Sequence, residues 1–189
     1  LLILKRLPSL EFDVAILGGG SAGYAAASSA KSHGARVAIV DPGPLGGLCI
    51  LRGCMPTKTI LRSSDIISLM RRAKEFGLLP VEPVADLAAI NARKNQLIEE
   101  FTDYRVEQLK DPRFTLIQEK AEFTSPNEVQ VGTSKLKAKS FIIATGSLIA
   151  DYPILGLKET GFVTSDDALT MREAPESIIV LGAGAVAVE

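Results

Sequence analysis

Only two cysteines and one histidine occur in this chain, and its acidic and basic residues nearly cancel to a formal charge of −1. Each scarcity removes a class of function. Two cysteines cannot staple a disulfide scaffold, and with no secretory signal visible a close thiol pair reads as catalytic in a reducing, cytoplasmic compartment. A zinc centre asks for four ligands, and His33 leaves no second cluster to complete one, so no metal site is expected. A balanced charge supplies no field for a nucleic acid. No apolar run approaches the roughly 20 residues of a membrane helix, and Leu1-Leu2-Ile3-Leu4 is broken at once by Lys5 and Arg6. The chain begins without Met and stops inside a motif at Glu189, which reads as a fragment.

The chain has 189 residues, 47% of them apolar, enough for one large domain or one domain plus part of another. Asp13-Val14-Ala15-Ile16-Leu17 reads as a buried parallel strand. Gly18 to Gly23 forms a tight turn, Ala22 to Ser32 an alanine-rich helix closed by His33-Gly34, and Arg36 to Val40 a second strand ending at Asp41. Pro56 suits the first turn of a helix whose apolar stripe, Ile60, Ile67, Met70, Ala73 and Phe76, stops near Gly77. A second helix follows the spacing of Leu87, Ile90, Leu97, Phe101, Tyr104 and Leu109 up to Asp111-Pro112. From Phe114 the period falls to two, with strands at 114–117, 128–131 and 141–144 forming a small meander. After Asp151-Tyr152-Pro153 a new unit begins, with Ser177 to Leu181 as a strand feeding a second glycine turn.

Gly18-Gly19-Gly20-Ser21-Ala22-Gly23 contains the spacing GxGxxG. Gly18 permits the turn, Gly20 lets the backbone approach a pyrophosphate, and Gly23 lets helix and strand pack closely. The helix N-terminus offers amide donors to phosphates, and Asp41 is placed to accept from a ribose diol. The motif does not separate FAD from NAD, and an ordinary strand-helix turn has the same outline. Gly182-Ala183-Gly184-Ala185-Val186-Ala187 repeats the pattern with alanine third. Two such turns imply that one nucleotide passes electrons to another.

Cys49 and Cys54 lie five apart. In an ideal helix that spacing separates Cα atoms by about 8 Å, beyond the ~7 Å a disulfide spans, so a bridge there requires an irregular turn, which Gly53 would ease. Near the start of the Pro56 helix, the dipole and Lys58 would favour a thiolate at Cys54. The same residues also admit two inert thiols or half of a metal site.

The first glycine turn, GGLCILRGCMPTK from Gly46 to Lys58, Ala144-Thr145-Gly146-Ser147, and GAGAVAVE from Gly182 to Glu189 together resemble the pyridine nucleotide-disulfide oxidoreductases. That family includes dihydrolipoamide dehydrogenase, glutathione reductase and mercuric reductase. The resemblance implies an α/β chain: a Rossmann-like FAD-binding domain with a small β-meander at 1–150, and the truncated start of a second Rossmann-like NAD(P)-binding domain at 151–189. It implies FAD on Gly18, Gly20, Ser21, Ala22, Gly23, Asp41 and Pro42, with Gly46, Gly47, Leu48 and Cys49 along the pyrophosphate. Ala121 would serve at the adenine, and Ala144, Thr145 and Gly146 would close over the cofactor. Cys49 is then the interchange thiol, Cys54 the thiol stacked on the flavin, Lys58 the lysine near flavin N5 and Glu189 its ion-pair partner. Gly182, Gly184 and Ala187 would receive NAD or NADP. The substrate would be a small disulfide or dithiol, or a metal ion, and the full-length form a homodimer. Leu48 and Leu51 depart from the family, which usually carries Thr and Asn there. The His-Glu acid-base pair of the dimerisation domain is missing, so the chain is not expected to turn over alone.

Overall fold

The computed structural model describes residues 10–150 and 153–189. The described chain divides into two compact units: one is the chain up to Leu51 with Glu100–Ser147, the other Arg52–Glu99 with Leu148–Glu189. The domain boundary expected at Asp151-Tyr152 lies outside the described residues.

The first unit is built on a six-stranded mixed sheet. Strand β1 (Leu10–Leu17) leads through helix α1 (Ser21–Ser32) to β2 (Val37–Val40). Later come β3 (Thr115–Ile117), β4 (Ala121–Ser125), β5 (Glu128–Val131) and β6 (Ser134–Ile143), and the strand order across the sheet is β3-β2-β1-β6-β5-β4. The sheet is parallel from β3 to β6 and antiparallel across β6, β5 and β4. Alternation along Val14–Leu17 of β1 and along β2 explains why these runs show no polar face. Ala15, Leu17, Ala38 and Val40 point into one cluster with Val129, Val131 and Leu136, whereas Ile16, Val37 and Ile39 point into another with Ala27, Leu109 and Phe114. Tyr24 and Phe114 meet edge to face in the second cluster, with ring centroids 6.2 Å apart.

The expected meander needs correction. The 114–117 segment does not join it: β3 pairs with β2 at the parallel edge. The meander is β4-β5-β6, and β4 was missed. Strand β6 also starts earlier than 141, because Lys135, Lys137 and Lys139 are exposed and alternate with buried Ser134, Leu136 and Ala138. A segment in which every second residue is lysine has a weak hydrophobic signal even though its inward face is intact. The turns at Pro126-Asn127 and Gly132-Thr133 fall where the sequence puts them.

Helices α2 (Leu48–Leu51) and α3 (Cys54–Arg71) are separated by Arg52-Gly53, and a 3₁₀ turn at Ala73–Phe76 carries the chain to Gly77. Helix α4 (Leu87–Leu109) has the bounds its periodicity predicts. In the second unit, α5 (Ser165–Ala168) and α6 (Ala185–Val188) are single turns. The α3 stripe is less buried than expected: Ala73 is buried, but Met70 and Phe76 are exposed and line a groove of about 460 Å³ with Leu69, Leu78, Leu79 and Val81. The buried residue on the second-unit part of α4 is Lys94, 4% exposed, and not one of the apolar positions. The strand expected at Ser177–Leu181 is not formed. A strand exists by pairing, no described residue ladders with this segment, and Ile178 to Leu181 are exposed.

Candidate functional site

In the first unit, the carboxyl ends of β1 and β6 lie side by side, Leu17 paired with Ile143. The connection leaving β1 runs to β2 on one side, whereas β6 on its other side is entered from β5, so the path of the chain across the sheet changes direction between β1 and β6, which is where open α/β sheets form a crevice. The backbone there comes closer than side chains allow. Gly18 has φ +106°, and a Cβ on it would lie 2.3 Å from the Ala144 carbonyl oxygen. A Cβ on Gly23 would lie 1.8 Å from the Gly18 oxygen, which sets helix against strand. Gly47 brings the loop after β2 so near the turn that its Cβ would fall 2.4 Å from Gly20 Cα. Gly20 caps α1 with no side-chain acceptor of its own, and no acidic residue sits in the first turn. A three-residue turn, a second loop and a bare helix N-terminus therefore converge around backbone amides, the arrangement that suits a pyrophosphate.

Asp41 is fixed in this cradle. Its Oδ2 accepts the Gly19 amide at 2.6 Å and its Oδ1 the Gly43 amide at 2.7 Å. A carboxylate has about four lone-pair sites, so each oxygen keeps one for a ligand hydroxyl. The sequence pointed to Asp41 but not to Gly19, whose amide orients it. Leu51 has its isobutyl group beside Gly46, which has φ +126°. Cys49 is a half-buried thiol in α2, next to exposed Leu48. Ala121 opens β4, and Ala144, Thr145 and Gly146 follow β6, with Gly146 at φ +76°. Ser21, Ala22 and Pro42 are exposed around the same turns.

In the second unit, Cys54 is an exposed thiol at the first residue of α3. The Thr57 hydroxyl donates to the Gly53 carbonyl at 3.0 Å and bonds the Cys54 carbonyl at 3.1 Å, which firms this first turn. Lys58 is four residues on, hence on the same helix face as Cys54. Its Nζ donates to Glu189 Oε1 at 2.5 Å. The Glu189 carboxyl is held below its ordinary value, first by the Lys58 hydrogen bond and then by Thr57. The second glycine turn is present in outline: Gly182 has φ +136°, and a Cβ there would meet the Ala187 methyl at 3.4 Å. Gly184 caps the single turn of α6. His33 ends α1, exposed, with Nδ1 2.9 Å from the Ser29 carbonyl, as a helix-end residue would be.

Among the described residues no group of three His, Cys, Asp or Glu is poised for a metal, and no helix is long and apolar enough to cross a membrane. The family model for pyridine nucleotide-disulphide oxidoreductases matches residues 12–189. The chain belongs to this family.

Members of the pyridine nucleotide-disulphide oxidoreductases similar to this chain include a mercuric reductase of Staphylococcus aureus. It is 35% identical over 180 residues, which cover 95% of this chain and 33% of the relative. A dihydrolipoyl dehydrogenase of Acholeplasma laidlawii is 36% identical, covering 96% of this chain and 55% of the relative. Among solved structures, the Cu(II) complex of the HOCl-induced flavoprotein disulfide reductase RclA from Escherichia coli superposes with a TM-score of 0.68 at 26% identity. That match covers 85% of this chain and 34% of the other. The chain thus spans about a third to a half of the length of these relatives.

Proposed function

We propose that the chain carries the FAD-binding and thiol-bearing part of a dithiol-disulfide oxidoreductase of the dihydrolipoamide dehydrogenase type. Residues 1–150 would form the first part of the FAD domain and 151–189 the beginning of the NAD(P) domain. The observation that supports this best is the glycine cradle, where Gly18, Gly23 and Gly47 leave no room for a Cβ and Asp41 stands ready beside them. These residues fit FAD. The amides at the start of α1 and the Gly46-Gly47 loop would hold its pyrophosphate, and Asp41 with Pro42 its ribose. Ala121 would meet the adenine, while Leu48, Cys49, Ala144, Thr145 and Gly146 would complete the enclosure. Bound FAD would supply the two-electron link between a nicotinamide and a thiol pair.

The chain's own residues have separable tasks. Cys49 would exchange with the substrate and Cys54 would face the cofactor, so that the pair cycles between dithiol and disulfide. Lys58, on the Cys54 face of α3, would keep a cation at that position, and Glu189 would fix its direction. Gly182, Gly184 and Ala187 would receive NAD or NADP. A small disulfide or dithiol is the proposed electron partner, in a cytoplasmic, homodimeric full-length enzyme. The similarity to a mercuric reductase at 35% identity keeps a mercuric ion as the second candidate for that partner.

Reconstitution tests the reading. Incubated with FAD and freed of excess, the chain is expected to turn yellow and to quench flavin fluorescence. Asp41→Ala should weaken FAD by about tenfold, the loss of a hydrogen bond to a charged group. A colourless parent chain with unquenched flavin overturns the proposal.

A further inference from the structure

Arg52 stands in the chain between the two cysteines, and its guanidinium has a partner. Nη1 donates to Asp166 Oδ2 at 3.1 Å. Cα atoms two residues apart lie within about 7.6 Å, so the Arg52 backbone stays close to Cys54. Asp166 is itself held in place. It lies in the first turn of α5, where Thr164 Oγ1 accepts the Asp167 amide at 3.4 Å and Asp167 Oδ2 accepts the Thr164 amide at 2.8 Å. Past the turn, the Leu169 carbonyl accepts from the Lys94 ammonium and the Met171 carbonyl from the Asn91 side-chain amide, the latter at 2.7 Å. Helix α4 therefore ties down the segment that presents Asp166.

Stability is not what this ion pair provides. The Arg52 and Asp166 side chains are 47% and 30% exposed, and pairs that open to solvent contribute little. What the pair sets is the local charge. Reducing a disulfide gives thiols, one of which must ionise to react, so a lone guanidinium nearby favours the reduced couple and a lone carboxylate opposes it. We infer that Asp166 positions and balances Arg52, two residues from Cys54, holding the reduction potential of the Cys49/Cys54 couple below the value that Arg52 alone would set. The inference rests on the dithiol-disulfide reading of these cysteines. Neither Arg52 nor Asp166 stood out in the sequence, since an arginine between cysteines and an aspartate in a distant Ser-Asp-Asp both read as surface charge.

Equilibrating the intact chain in glutathione buffers, then alkylating its thiols and counting them by mass spectrometry, measures the couple. In the exchange two glutathione thiols give two electrons and two protons to the Cys49–Cys54 bond, producing two protein thiols and one glutathione disulfide. Asp166→Asn is expected to shift the equilibrium about threefold toward the dithiol, roughly 15 mV for a two-electron couple. Arg52→Met should shift it about threefold the other way, the double variant should return near the parent, and Arg52→Lys, which keeps the charge, should stay within about twofold of it. Single variants that move together, as a structural disturbance would make them, or any other pattern, overturn the inference. A parent chain that forms no Cys49–Cys54 disulfide in any buffer fails at the dithiol-disulfide reading, and the inference falls with it.

Discussion

Gly18 and Gly34 both have left-handed backbone, φ +106° and +82°, yet they differ in what surrounds them. Nothing lies within 4 Å of a Cβ built on Gly34, whereas one on Gly18 would strike the Ala144 carbonyl. Strain and crowding are therefore separable. Gly34→Ala should cost about 1 kcal/mol, the strain of a left-handed L-residue, and Gly18→Ala on the order of 3 kcal/mol because backbone must also move. Urea denaturation of the two variants checks this, and equal costs would contradict it. At this scale the sequence is candid about glycine and silent about amide direction. GxGxxG names the turn, but nothing in it says that Gly19 will aim its amide at Asp41, because that bond joins residues brought together only when β1 and β2 pair. Glu189 was assigned to Lys58 by resemblance alone, and the structure does place them in hydrogen-bond contact.

Between elements, charges act where strands and helices meet. Asp13 on β1 takes a hydrogen bond from the Arg36 amide at 2.8 Å and pairs with Lys139 of β6 at 2.8 Å. Its pKa falls from 3.8 to about 2, mainly through the Lys139 hydrogen bond and then the Arg36 amide. The lowered value means that Asp13's contribution to stability is complete above pH 3.8 and is lost as pH falls through about 2. NMR titration of the Asp13 carboxyl should show that midpoint, and Lys139→Met should raise it. Lys94 has the opposite sense. Burial pushes its ammonium below the ordinary 10.5, with Asn91 and the Leu169 carbonyl as its neutral partners. The unfolded chain holds that proton more firmly, so Lys94 makes stability rise with pH up to about its ordinary value. Unfolding free energies followed from pH 8 to 10 should climb more steeply in the parent than in Lys94→Met. Parallel slopes would show that Lys94 does not titrate differently on folding. No periodicity rule finds such a lysine, since the residue type is by default a surface one.

Across the whole molecule, legibility tracks how locally a feature is determined. The βαβ start and the bounds of α4 follow from apolar spacing and turn residues that act within a few positions. The sheet order does not: β3 goes to the far edge because β2 offers a parallel ladder there, a contact between residues more than 70 positions apart. The segment at 177–181 illustrates the converse, as strand-like composition without a partner gives no strand. The glycine cradle was legible because close backbone approach demands glycine at fixed spacing. The Arg52–Asp166 pair was not, because its members are joined only by the fold.

The two rims of the sheet are short or irregular. Strand β3 is three residues long, and β4 is five residues long with a register break between Phe123 and Ser125. A stray chain trying to extend the sheet by backbone pairing would find a handful of mismatched amides on either flank, too short a template to propagate. The long strands that could seed stacking, β1 and β6, are enclosed at the centre, where each already has neighbours on both sides.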